Sequence, residues 1–482
     1  MGAASLYVGY NRLISSRLRG TDPNARRQVP ETCGISLTSG SVKPYRKALV
    51  SIIRAGARVV VVGQGYVGLP VARAAVAAGY VVTGYDIDPQ KIANLTAGQS
   101  PIEDVTDQDL AGMLATGRYR PTGDEKDLAG FDIALVTVPT PLRSGRPDLS
   151  AVLSAATTLS LHVRRGALVV LESTVAPGTT ADDFLKALVS RTPLESERDF
   201  FVGFSPERID PGNKVWTFER TPKLVSGLGS QATDLTTRFY STICETVVPC
   251  SSAAVAEMAK LLENTYRHVN IALVNELGRH AHALGISIWD VVEAAKTKPY
   301  GFQHFYPGPG VGGHCLPVDP AYLSHQVEQT LGKPFDFVNL AMRVNDEQPD
   351  YVVERITSLL NAGQRSVNGS KILILGLAYK SNVGDMRETP AARIVGRLWE
   401  LGAAVSVCDP HVVDASTQLV EFAPGLKVVE LRDVASAAGD ADVTVIVTDH
   451  DDFPYADIER KARLILDTRN RLTPEKNRVQ VI

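Results

Sequence analysis

Arg58-Val59-Val60-Val61-Val62-Gly63-Gln64-Gly65-Tyr66-Val67-Gly68 runs a β-branched strand straight into a glycine-rich turn. An alanine- and valine-rich helix is predicted next, from about Leu69 to Ala78, stopping at Gly79. A second strand, Val81 to Tyr85, ends at Asp86. Strand, turn, helix and strand in that order make one βαβ unit. Gly63 allows the tight turn, Gly65 lets the backbone approach a pyrophosphate, and Gly68 lets the helix pack closely on the sheet. Free amides at the start of the helix, around Tyr66 and Val67, attract the phosphates. The carboxylate of Asp86 can accept hydrogen bonds from an adenosine ribose and disfavours a 2′-phosphate, so NAD is expected over NADP.

Further strands are predicted at Ile133–Val138, Ala167–Glu172 and Phe201–Phe204, each apolar enough to be buried on both faces of a parallel sheet. Pro139 and Thr140 follow the first of these and face the same crevice. From about Ser252 to Leu284 the pattern becomes helical. Val255, Ala259, Leu262, Tyr266, Val269, Leu273 and Leu277 repeat at three and four residues, as on a helix that joins domains or meets a second subunit. A short helix is predicted over Trp289 to Ala295. A third region repeats the first layout: strand Lys371–Leu375, helix Thr389–Leu401, strand Val405–Cys408 and strand Asp442–Thr448. Its turn, Gly376-Leu377-Ala378-Tyr379-Lys380, lacks the glycines of a phosphate-binding turn, so the region reads as a second, degenerate nucleotide-binding domain.

These elements divide the 482 residues into a basic N-terminal extension (1–56), an NAD-binding Rossmann domain (57–250), a central helical domain with a cysteine loop (251–350) and a C-terminal Rossmann-like domain (351–482). The expected fold is α/β, two Rossmann-like domains joined by a long central helix. A formal charge of -3 gives no reason to expect a nucleic-acid or membrane partner. Apolar runs are too short and broken for a transmembrane helix. Five scattered cysteines (Cys33, Cys244, Cys250, Cys315, Cys408) suit a reducing, cytoplasmic compartment and argue against a disulfide framework or a metal cluster.

Cys315 differs from the other four because it follows Gly308-Pro309-Gly310-Val311-Gly312-Gly313-His314. So much glycine points to a backbone passing very close to a ligand, with Gly310, Gly312 and Gly313 as contacts. A thiol there can capture an aldehyde as a thiohemiacetal; loss of hydride then gives a thioester that water hydrolyses to an acid. His314 either lowers the thiol pKa or orders the backbone. Asp319, four residues on, polarises a water or orients Lys260. Lys260 and Asn264 share one face of the long helix, where on sequence alone they read as solvated.

Together these motifs resemble the UDP-glucose/GDP-mannose dehydrogenase family over residues 57 to 480. The resemblance is carried by the fingerprint through Leu69-Pro70, by Glu172-Ser173-Thr174-Val175-Ala176-Pro177-Gly178-Thr179-Thr180 and by Ser205-Pro206-Glu207-Arg208. Helix Glu257–Asn264, the cysteine loop, Tyr379-Lys380 and Asp385-Met386-Arg387 complete it. It implies an NAD-dependent four-electron oxidation of a nucleotide-sugar C6 alcohol to a uronic acid, the second Rossmann-like domain binding the sugar nucleotide. By that comparison Cys315 is the nucleophile, Lys260 and Asp319 are general base and water activator, and Asn264 holds the oxyanion. Thr174 and Glu207 line the place where water is organised, Thr174 also meeting the cofactor. Arg208, Lys380, Arg387 and Arg469 contact the substrate, a cation suiting a diphosphate. The family implies a homodimer through the central helix. Ser205-Pro206-Glu207-Arg208 and Leu316-Pro317-Val318-Asp319-Pro320 resemble the branch that oxidises UDP-N-acetylhexosamines. The alternatives are a dTDP-glucose or UDP-glucose 6-dehydrogenase, or a two-electron NAD dehydrogenase that needs no Cys315.

Overall fold

The computed structural model describes residues 52–482 except positions 144, 211, 314, 413, 476 and 477, and except the side chains of Cys315 and Ser416. Residues 1–51 of the predicted extension, with Cys33, lie outside the described residues, as does His314.

The first sheet contains β1 (Arg58–Val62), β2 (Val81–Tyr85), β3 (Tyr119–Thr122), β4 (Ile133–Val136), β5 (Leu168–Leu171), β6 (Phe201–Phe204), β7 (Lys223–Gly227) and β8 (Val247–Pro249). Their spatial order is β8-β7-β6-β5-β4-β1-β2-β3. Neighbours run parallel except β6 and β7, which are antiparallel. Val59 and Val61 join the core on one side of this sheet, while Val60 and Val62 join the core on the other. That alternation is why each central strand reads as an unbroken apolar run. Strand order reverses between β1 and β4, and the crevice at their carboxyl ends is where a doubly wound sheet binds its ligand.

The second sheet has β9 (Lys371–Leu375), β10 (Ala404–Cys408), β11 (Lys427–Val428), β12 (Val443–Ile446), β13 (Ile465–Asp467) and β14 (Val479–Val481). Its order, β11-β10-β9-β12-β13-β14, is parallel throughout and repeats the winding of the first. Ile372 and Ile374 face one core, Leu373 and Leu375 the other.

Helix α1 (Gly68–Ala77) follows the first turn, and α2 (Ala253–Ala283) runs for 31 residues between the sheets in the chain. Ser252 caps α2 by accepting the Val255 amide at 3.2 Å. Helices α3 (Cys315–Leu331) and α4 (Asp336–Asp346) pack on α2, and α5 (Gln348–Ala362) joins the second core.

Two expectations need correction. Lys260 and Asn264, read as solvated, are buried, whereas the apolar repeat of α2 is exposed at Val255, Leu262, Tyr266, Leu273 and Leu277, with Ala259 and Val269 half-buried. The buried face instead carries Glu257, Lys260, Asn264, His268 and Asn275. The cysteine segment is not all loop either, because its backbone turns helical at Cys315. Pro317 is tolerated because the first-turn amides of a helix have no intrahelical partner.

Candidate active site

The dinucleotide turn is built as its glycines require. Gly63 has φ +95°, and a Cβ on it would lie 2.9 Å from the Thr137 carbonyl oxygen. A Cβ on Gly68 would fall 1.8 Å from the Gly63 carbonyl oxygen, so only glycine lets α1 leave the turn there. Around Gly65 there is open space to 4 Å, as a ligand approaching the backbone needs. Val67 precedes α1 and no side chain caps the helix, which leaves its first amides for an anion. Asp86 is buried at the end of β2, where its carboxylate accepts the Gln64 amide at 2.8 Å and the Lys91 ammonium at 2.8 Å. Tyr66 is capped by the Arg387 guanidinium, 4.8 Å from its ring centroid. Burial, then the charge of Asp385, pushes the Tyr66 hydroxyl up to about 12. Beyond β4, Pro139 is exposed and Thr140 buried. These residues fit NAD.

The buried face of α2 supplies a second cluster. Lys260 and Asn264, which sequence alone would leave in water, are 7% and 4% exposed. They are buried because α3 covers them. Asn264 donates from Nδ2 to Asp319 Oδ2 at 2.5 Å. Asp319 stands one turn beyond Cys315 on α3, fully enclosed. Burial pushes its carboxyl up to about 6, against the opposing pull of the Lys260 charge and the Asn264 bond. A carboxylate poised near neutrality can take up and release a proton there. Tyr322, two turns past Cys315, ties α3 to the segment after β4 by donating to the Pro141 carbonyl at 3.3 Å.

The segment bearing Thr174 crosses next to α2. Thr174 is half-buried, and the chain beyond it is anchored by Glu257. The Glu257 carboxylate accepts the amides of Gly178 at 2.5 Å and Thr180 at 2.9 Å, and the Thr180 hydroxyl at 2.6 Å. Glu257 precedes Lys260 by three residues on the same face, so one helix sets the spacing of both. Glu207, after β6, accepts the amides of Arg208 and Ile209 at 2.6 Å and the Lys223 ammonium at 2.7 Å. Arg208 binds Glu263 on α2 through two nitrogens, at 3.1 and 2.7 Å, and donates to the Pro222 carbonyl at 2.6 Å.

On the C-terminal side, Lys380 pairs with Asp210 at 2.6 Å and Arg387 with Asp385 at 2.5 Å. Arg469 donates to the Val447 carbonyl at 2.9 Å; burial lowers its pKa. The glycine run also packs tightly against the rest of the chain. A Cβ on Gly312 would sit 2.7 Å from Tyr379 Cβ, and one on Gly313 would sit 2.9 Å from the Tyr379 ring. Gly310 abuts Pro390 in the same way. The close approach that demands glycine is to the C-terminal domain's own side chains. A cleft of about 610 Å³ opens between the two Rossmann units, lined by Arg73, Glu103, Asp210, Trp216 and Lys380, without reaching Lys260 or Asp319.

Sequence reasoning passed over Lys223, Glu257 and His268, all buried. A lone lysine opening an apolar strand was the only signal for Lys223, and none existed for His268. His268 is buried, and burial lowers its pKa to about 4. Among the other cysteines, Cys244 and Cys408 have buried thiols pushed up to about 12 by desolvation, which leaves them unreactive; Cys250 is half-buried. In the second Rossmann unit, Asp409 accepts the amides of Leu377 and Ala378 at 2.6 and 3.0 Å. A carboxylate of the chain itself thus occupies the turn that would cradle a phosphate.

Residues 57–244 match the NAD binding domain of the UDP-glucose/GDP-mannose dehydrogenase family, 254–347 its central domain, and 373–474 its UDP binding domain. The chain belongs to that family. A UDP-N-acetyl-D-mannosamine dehydrogenase of Pyrococcus horikoshii is 34% identical over 419 residues, 86% of this chain and 95% of the relative. A UDP-N-acetyl-D-glucosamine 6-dehydrogenase of Pseudomonas aeruginosa is 37% identical over 357 residues, 74% of this chain and 83% of the relative. The solved structure of the UDP-D-ManNAc dehydrogenase from Pyrococcus horikoshii superposes with a TM-score of 0.79 at 32% identity, covering 88% of this chain and 99% of that one. This member of the UDP-glucose/GDP-mannose dehydrogenase family is therefore an NAD-dependent dehydrogenase of nucleotide sugars, with NAD on the first Rossmann unit and the UDP moiety on the second. Among the described residues no helix is long and apolar enough to cross a membrane.

Proposed function

We propose that this dehydrogenase oxidises the C6 alcohol of a UDP-N-acetylhexosamine to the uronic acid through a thioester on Cys315. The observation that carries the reading is the buried Lys260–Asn264–Asp319 cluster, one helical turn from Cys315. The N-acetylhexosamine is supported by the names of the two relatives above, which are 34% and 37% identical. When bound, NAD accepts hydride from C6 twice, once from the alcohol and once from the thiohemiacetal. Everything else falls to the chain. Cys315, the first residue of α3, supplies the nucleophile. Lys260 and Asn264 stabilise the oxyanion left when sulfur adds to the aldehyde. Asp319 accepts a proton there, and Glu207 and Thr174 order the water that cleaves the thioester.

Lys380 and Arg469 are the cations assigned to the diphosphate, Lys380 exchanging Asp210 for it, and Arg387 extends over the cofactor turn at Tyr66. Arg208 and the glycine run from Gly310 to Gly313 frame the sugar. The exposed apolar face of α2, with Leu262 at 63% and Leu273 at 53% exposure, is the surface through which two copies pair. Free thiols and an NAD-dependent reaction suit the cytoplasm.

The test is NADH released per sugar consumed, with UDP-N-acetylmannosamine, UDP-N-acetylglucosamine, UDP-glucose and dTDP-glucose compared by kcat/KM. Two NADH per sugar and a preference for the acetamido sugars support the reading; one NADH per sugar overturns the thioester route. Cys315→Ser abolishes net turnover while NAD binding survives.

A further inference from the structure

Behind Glu207 lies a charged group that the reaction described so far does not use. Lys223 opens β7 with 2% of its side chain exposed. Its ammonium donates to Glu172 Oε2 at 2.7 Å and to Glu207 Oε2 at 2.7 Å. Glu172 follows β5 and also accepts the Tyr240 hydroxyl at 2.7 Å. The Tyr240 and Phe218 rings face the ammonium, at 5.3 and 5.1 Å from their centroids. Burial works against the Lys223 charge, but the two carboxylates outweigh it and raise the ammonium above its ordinary range. Two carboxylates thus share one cation in a space closed to water, and only Glu207 reaches toward the surface, with 11% of its side chain exposed.

We propose that Lys223 is a positioning residue for thioester hydrolysis: its ammonium, anchored on Glu172, holds the Glu207 carboxylate aimed at the hydrolytic water. The inference rests on Glu207 acting on the hydrolytic water, as proposed above. In that step water oxygen bonds to the acyl carbon, the carbon–sulfur bond breaks, and the Cys315 thiolate leaves. The proton of the water passes to Glu207, which must be ionised to take it. The groups facing Glu207 are few. Lys223 comes from β7 and Glu172 from β5, with Tyr240 and the neutral Cys244 thiol beside Lys223. Arg208 turns its guanidinium away to Glu263, and Glu219 is paired with Arg73. Removing the lysine takes away the donor that holds the Glu207 carboxylate in place.

The experiment follows a single turnover of the full-length enzyme with excess NAD and UDP-N-acetylmannosamine. NADH is recorded by absorbance, and the Cys315 acyl adduct by intact mass after quenching, across a pH series. Lys223→Met is expected to release its two NADH in a burst and then accumulate the acyl adduct, hydrolysing it at least about tenfold more slowly near neutrality. Lys223→Arg, which keeps a cation between the two carboxylates, is expected to restore hydrolysis in part. Slow hydrolysis behind unslowed hydride steps separates positioning from mere structural support, which would slow both together. If Lys223→Met does not fold, Lys223→Gln decides alone: hydrolysis unchanged, or slowed together with hydride release, overturns the proposal. If the wild-type enzyme releases one NADH per sugar, the thioester reading fails, and this role for Lys223 with it.

Discussion

Replacing Asn264 with alanine moves the acid limb of the reaction to higher pH, by an amount the geometry sets. Asp319 has its carboxyl raised from 3.8 to about 6 by burial, and Asn264 opposes that rise through one hydrogen bond to the ionised form. A hydrogen bond to a charged group contributes about 1.5–3 kcal/mol. At about 1.4 kcal/mol per pH unit, its loss carries the carboxyl up by about 1–2 units. The acid limb of kcat/KM, which reports free-enzyme groups, is therefore expected near pH 6 in the wild type and near pH 7–8 in the variant. Lys260→Met moves the limb the same way, because the lysine charge also favours the ionised carboxyl. The plateau falls in both variants, so the midpoint is the quantity to read. Stability changes with the same sign logic: a carboxyl raised in the fold contributes stability below its unfolded pKa and loses it as pH rises through about 6. A limb that stays in place, or moves to lower pH, in Asn264→Ala would refute the account of Asp319 as the titrating base.

Three further outcomes follow from particular contacts. Glu257→Ala strands three donors, the Gly178 and Thr180 amides and the Thr180 hydroxyl, and should cost about 3–5 kcal/mol in urea unfolding, with kcat reduced through displacement of Thr174. Gly312→Ala drives a methyl to within 2.7 Å of Tyr379 Cβ and 2.9 Å of the Glu388 carbonyl oxygen, so Tm falls by the equivalent of about 1–3 kcal/mol and KM for the sugar nucleotide rises. Leu262→Glu with Leu273→Glu puts charge on the exposed face of α2 and should yield monomers by sedimentation velocity; an unchanged sedimentation coefficient would exclude that face as the contact.

Much of the fold is legible in local patterns. Strand β1, the glycine turn and β2 follow from β-branched residues and a fingerprint whose steric demands are local. The 31 residues of α2 begin one residue after the predicted start, where Ser252 caps them. Strands β3, β7 and β8 escaped notice. They are short or carry polar residues, such as Lys223 and Arg120, whose place in the sheet depends on neighbours far away in the chain. Cys315 could be singled out as a candidate nucleophile from its glycine-rich surroundings, but the helix starting at it was hidden behind two prolines.

Local sequence rules were enough for the two Rossmann windings and the cofactor class, because backbone conformation, strand burial and phosphate binding each act within a few residues. Tertiary structure alone decided which face of α2 is buried. Periodicity marks both an apolar and a polar stripe, and only the packing of α3 selects the one bearing Lys260 and Asn264. It also joined Glu172, Lys223 and Glu207, residues that meet only because β5, β6 and β7 are neighbours in the sheet. The glycines before Cys315 show the same limit. Sequence shows that a side chain is forbidden there, and only the fold reveals that Tyr379 and Pro390 forbid it.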